Sequence, residues 1–138
     1  EEEKRIYLRK RVREAVKSLH SIAKEAGVQK YALFHDAGYR GLYKMSLSEI
    51  KAYKGIKDEL LDRSGHTELA ANEFRITQTK DKIKRDAVKG EKNAIDTHFN
   101  VGREVRNTIA KLGGTMPEDL PIEESIKTLE RNAKEARS

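Results

Sequence analysis

The chain has no cysteine and no tryptophan, only two prolines, and aromatic side chains at just 6% of its 138 positions. Without cysteine there is neither a disulfide framework nor a thiolate metal site. No apolar run approaches the ~20 residues that a membrane-spanning helix needs. Behind the charged start, Glu1 to Arg5, no apolar signal segment follows, so the cytoplasm is the expected compartment. Apolar residues make up 36% and charged residues 38%, which predicts a modest core with much of each helix facing water. The length suits one domain.

What is present is positive charge and helical period. The net charge is +6, from 29 basic and 23 acidic residues, and it is uneven. Between Lys4 and Lys17 stand Lys4, Arg5, Arg9, Lys10, Arg11, Arg13 and Lys17, opposed only by Glu14. A second run from Arg75 to Lys92 includes Lys80, Lys82, Lys84, Arg85 and Lys89. Such runs attract polyanions, nucleic acid first among them. The candidate contacts for nucleic acid or an acidic partner are Arg9, Lys10, Arg13, Lys17, Arg75 and Lys82. The plainer reading is solvated helix faces laced with charge pairs.

The periodicity is helical throughout and predicts a compact all-α bundle of five to seven helices. Leu8, Val12, Ala15, Leu19, Ile22 and Ala26 lie on one stripe, and Gly27 supplies the stop. A short helix is expected over 28–36, broken by a turn at Gly38-Tyr39-Arg40-Gly41. The alternative there is a small hairpin around Tyr39 to Met45. Ser46 and Glu49 fit a capping box. A long helix from Thr67, its capping residue, to about Val88 pairs with another from Asn93 to Leu112, and this pair forms the centre. In the first of them Leu69, Ile76, Ile83 and Ala87 occupy one flank, Ala70, Phe74 and Thr77 a second, and Asn72, Arg75, Thr79, Lys82 and Asp86 a polar stripe between. Phe74, Ile76, Val101, Val105 and Ile109 are expected to be buried. Gly102, inside the apolar stripe of the second helix, predicts a close helix–helix approach. The terminal helices, with apolar residues at alternating spacings of three and four, are expected to pack together within one chain or across a weak dimer.

Catalytic and cofactor chemistry finds little support. His20, His35, His66 and His98 show no helical metal-ligand spacing, and His98 sits on an apolar face. No phosphate-binding glycine loop or nucleophile elbow appears. Asp36 with Glu49-Ile50-Lys51 mimics a nuclease spacing, but such sites need strands that gather carboxylates on a metal, and Glu49 suits a helix cap. No enzyme activity, metal or cofactor is expected. Asn72 and Gln78 read best as structural hydrogen-bonding residues holding the 38–43 segment, while Arg75 fits a structural or a phosphate-binding role equally. Tyr31, Tyr39 and Tyr43, near basic residues, could stack on single-stranded bases, though packing is their simpler role.

Four strings carry a resemblance over nearly the whole chain: FHDAGYRGLY from Phe34, GHTELAANEFRITQT from Gly65, THFNVGREVRNTI from Thr97 and KLGGTMPEDLP from Lys111. In this order they resemble the C-terminal part of the DNA-damage-inducible protein D (DinD) family. The resemblance implies a single helical domain over 1–138, the C-terminal part of a longer protein whose N-terminal antirepressor-like domain is absent. It also implies a non-enzymatic regulator in the bacterial SOS response, modulating RecA filaments on single-stranded DNA. The partners would be the RecA filament, single-stranded DNA or both, met at the nucleoid; the short, alanine-rich seams of the terminal helices, not the resemblance, point to a monomer or weak homodimer. The alternative is a DNA- or partner-binding module of a phage antirepressor-type regulator.

Overall fold

The computed structural model describes residues 2–137, and among them there are six α-helices, two short 3-10 turns and no strand. The helices are α1 (Glu2–Ala26), α2 (Tyr31–Tyr43), α3 (Leu47–Lys54), α4 (His66–Arg85), α5 (Glu91–Lys111) and α6 (Ile126–Ala136). A compact all-α bundle results. Its order across the molecule is α1, α4, α5, α2, with α4 and α5 at the centre, and α6 lies against α1 within the same chain.

Local chemistry sets most helix ends. Gly27 adopts φ 103°, and the paired bonds from Gly27 N to Lys24 O and Val28 N to Ala23 O close α1. The capping box at Ser46 is complete, with Glu49 N donating to Ser46 Oγ and Ser46 N donating to Glu49. Two other ends differ from expectation. Gly65, not Thr67, precedes α4, and that helix stops at Arg85, because Ala87 turns to φ 49° and Val88 N bonds back to Ile83 O.

The Gly38–Gly41 segment neither turns nor forms a hairpin; α2 runs straight through it. The reason lies in α5. A Cβ on Gly41 would overlap the Phe99 carbonyl oxygen, and one on Gly102 would lie 2.7 Å from the Gly38 carbonyl and 3.0 Å from Leu42 N. The glycines of α2 and α5 face each other, so the two backbones almost touch. The expected close approach at Gly102 is there, and its partner is α2.

The core contains Val12, Leu19, Phe34, Leu42, Ile50, Leu69, Ile76 and Val105. Phe74 is 54% exposed, and Val101 and Ile109 are only half-buried. In α4 the polar stripe is the one that turns inward: Asn72, Arg75 and Thr79 are buried beside Leu69, Ile76 and Ile83, while Lys82 and Asp86 reach the surface. A core-facing stripe so polar misleads any reading that sorts residues by hydropathy alone.

The glycine contact generates a clear expectation. Gly102→Ala should destabilise the fold by about 1–3 kcal/mol through overpacking, although alanine is the better helix former by roughly 1 kcal/mol. Chemical denaturation measures it, and a stabilised variant would mean that α2 and α5 do not meet at Gly102.

Candidate nucleic-acid interface

The buried polar residues of α4 form one connected network. Lys54 donates to Glu68 Oε1 at 2.8 Å, and the Tyr43 hydroxyl donates to the other Glu68 oxygen. Asn72 Nδ2 donates to the Tyr43 hydroxyl at 2.9 Å, and Asn72 Oδ1 accepts from Arg75 at 2.8 Å. Arg75 also contacts His98 Nε2 at 2.7 Å, and His98 Nδ1 contacts the Phe34 carbonyl at 2.8 Å. Asn72 therefore has the structural role expected of it, whereas Gln78 is exposed and takes no part.

The donors and acceptors fix the protonation of His98. A carbonyl can only accept, so Nδ1 carries the proton. Arg75 can only donate, so Nε2 offers its lone pair. The ring is neutral. Burial, and then the Arg75 charge, hold its pKa well below the ordinary value. Arg75 itself is 2% exposed and has no carboxylate partner. It hydrogen-bonds to Asn72 and His98, and Tyr39 lies with its ring centroid 4.7 Å from the guanidinium carbon. Its Nε has no partner. Burial lowers its pKa, yet arginine stays charged, so this network holds a cation that no anion neutralises. A direct phosphate contact by Arg75 is closed off by that burial.

A second pair links α1 to α2. His20 Nδ1 and His35 Nε2 are 3.1 Å apart, and His20 stacks on Tyr31. Burial, with His20 and Arg75 nearby, takes the His35 pKa down to about 4. No local pattern signals this pair, because its members are on different helices.

The predicted basic residues divide into two groups. Arg9 is buried, with Nε 2.6 Å from Asp62 Oδ1, itself 2% exposed. It belongs to a structural ion pair, and its removal would strand a buried carboxylate. Arg9 is therefore not available as a contact for nucleic acid or an acidic partner, although it stands in the same basic run as Arg13 and Lys17. Lys82 pairs with Asp86 at 2.8 Å along the helix surface. Lys10, Arg13 and Lys17 have no ion-pair or hydrogen-bond partner and reach solvent. Arg13 and Lys17 line a cavity of about 300 Å³ with Tyr39, Leu47 and Lys51. Lys51 is likewise unpaired. The sequence does not signal it, because only the fold places Lys51 of α3 at the same cavity as Arg13 and Lys17 of α1.

The carboxylates that mimicked a nuclease site are engaged otherwise. Asp36 Oδ1 accepts from Leu47 N at 2.7 Å and so helps to cap α3, and Glu49 closes its capping box. Among the described residues no group of three or more histidine or acidic side chains is placed to hold a metal ion, and no helix is long and apolar enough to cross a membrane.

Both the sequence strings and this helical arrangement can be set beside known proteins. The sequence profile of the DinD C-terminal domain matches residues 1–129. The chain belongs to this family. It is also similar to DNA damage-inducible protein D of Escherichia coli strain K12, with 49% identity over 141 aligned residues, covering 97% of this chain and 52% of that protein. The chain thus spans about half the length of this relative. No solved structure matches.

The two depressed histidines make stability depend on pH with a definite sign. Below the ordinary value of 6.5 the unfolded chain takes up protons that folded His98 and His35 refuse. Stability is therefore lost as pH falls from 6.5 towards about 4, at up to ~1.4 kcal/mol per pH unit for each fully neutral ring. Glu49, Asp86 and Glu91, whose pKa values are lowered, add their loss only in more acid solution. Glu68, raised by burial, acts in the opposite sense near its own range. Urea denaturation should show a loss of about 1 kcal/mol or more between about pH 6.5 and pH 5.5. A flat profile there would contradict the neutral rings.

Proposed function

We propose that this domain is a non-enzymatic regulator in the bacterial SOS response that modulates RecA filaments on single-stranded DNA. The observation that carries the reading is the unpaired basic edge of α1, Lys10, Arg13 and Lys17, joined across the cavity by Lys51, in a chain whose family is linked to DNA damage. Cations left unpaired on a surface that contains Glu59 are open to a phosphate backbone or to the acidic face of a DNA-bound protein. The domain acts as a monomer or weak homodimer in the cytoplasm, at the nucleoid. Its role is to bind, and its carboxylates serve the fold: Asp62 and Glu68 in buried ion pairs, Asp36 and Glu49 as caps of α3.

The deciding experiment is RecA's DNA-dependent ATP hydrolysis on single-stranded DNA, followed with increasing amounts of this protein. Hydrolysis should change in a saturable way, and Lys10, Arg13 and Lys17 replaced together by glutamine should weaken the effect. A rate unaffected by excess protein would remove the RecA reading.

A further inference from the structure

Two cavities adjoin at Tyr39 and Leu47, which line both. The first, of about 300 Å³, carries the unpaired cations Arg13, Lys17 and Lys51. The second, of about 510 Å³, opens beside Leu33, an apolar side chain left 54% exposed, and includes Ala32 and His35. Each is of the size that holds a small ligand group. One is cationic and the other largely apolar, and an aromatic ring stands at their boundary.

The positive character has a deeper source. Tyr39 rests on the guanidinium of Arg75, 4.7 Å from ring centroid to carbon. Arg75 lacks a carboxylate partner, so its charge adds to the field behind the ring. Glu59 also lines the first cavity, but it lies 3.6 Å from Arg9, which is already paired with Asp62. The balance favours an anion. A ligand that satisfies both cavities needs a phosphate at one end and a flat apolar group at the other.

We propose that these joined cavities take one unstacked nucleotide of a single strand, with the phosphate at Arg13, Lys17 and Lys51 and the base against Tyr39, Leu47 and Leu33. The inference rests on the nucleic-acid half of the function proposed above and adds a selectivity to it. Tyr39 is half-buried, so a base paired inside a duplex cannot reach it. A base free to leave the stack can, and any base will serve, because every base has a flat face. The site thereby distinguishes single strands from duplex and is indifferent to sequence.

Fluorescence anisotropy with a labelled oligothymidylate, a duplex of equal length and free thymidine monophosphate as competitor tests this directly. The single strand should bind at least several-fold more tightly than the duplex at low salt, and the free nucleotide should compete only weakly. Replacing Arg13, Lys17 and Lys51 together by glutamine should flatten the salt slope by roughly 0.7, as the loss of one single-strand phosphate contact requires. Tyr39→Leu should cost about five-fold or more in single-strand affinity, the loss of one stacked base. Since Tyr39 also packs on Arg75, Leu33→Ser at the exposed rim provides the second variant, which keeps the fold and should weaken the single strand while leaving the salt slope unchanged. Equal binding of duplex and single strand would overturn the proposal, and so would parental affinity in Leu33→Ser or in the triple glutamine variant. Free nucleotide competing as well as the oligomer would assign the cavities to a small phosphate compound instead. Loss of the RecA effect with these results intact would remove the regulatory reading and leave the nucleotide site standing.

Discussion

The hydrogen bond between Arg75 and His98 is the contact on which the middle of this structure depends. It ties α4 to α5, and the same imidazole, through its other nitrogen, ties α5 to the Phe34 carbonyl of α2. Three helices meet at one neutral ring. Protonation of that ring would turn an acceptor into a donor facing another donor, beside a buried positive charge. Both penalties are large in a desolvated site, so the packing and the protonation state of His98 are one property. The glycine contact just beyond reinforces it. Gly38 lies so close to His98 and Arg75 that a Cβ there would overlap the imidazole, which means the α2–α5 approach and the polar network share the same space.

This arrangement divides the chain's positive charge into two kinds. Arg9 and Arg75 are buried and used in holding helices together, one against Asp62 and the other against His98 and Asn72. Lys10, Arg13, Lys17 and Lys51 are left without partners at the surface. A surface charge contributes little to stability, so the second group is where binding can act without cost to the fold. The two kinds meet at Tyr39, which covers Arg75 on one side and borders the cavity of Arg13, Lys17 and Lys51 on the other.

Much of this was legible in the sequence. Apolar spacing placed α1, α4, α5 and α6, Ser46 and Glu49 announced the capping box, and Gly102 signalled a close approach. The family strings were more informative still, because they fix the order of segments. What escaped the sequence has physical causes. Gly38 and Gly41 suggested a turn, but in a helix the same residues serve an interhelical contact that no local pattern reveals. Phe74 was expected inside and Arg75 in balance; burial instead went to Asn72, Arg75 and Thr79, since hydrogen bonds to other helices offset the cost for Asn72 and Arg75, and Thr79 bonds to the Arg75 carbonyl of its own helix. Arg9 looked interchangeable with Arg13 and Lys17. Only Asp62, distant in the chain, separates them.

The central claim concerns the protonation and tautomer of His98, and nitrogen NMR of the imidazole rings across a pH series reads both. The account predicts a neutral His98 with its proton on Nδ1 and Nε2 accepting a hydrogen bond, unchanged well below the ordinary histidine pKa of 6.5 until the protein unfolds. A His98 that titrates near that ordinary value in the folded protein, or that carries its proton on Nε2, would contradict the Arg75 contact and the packing built on it.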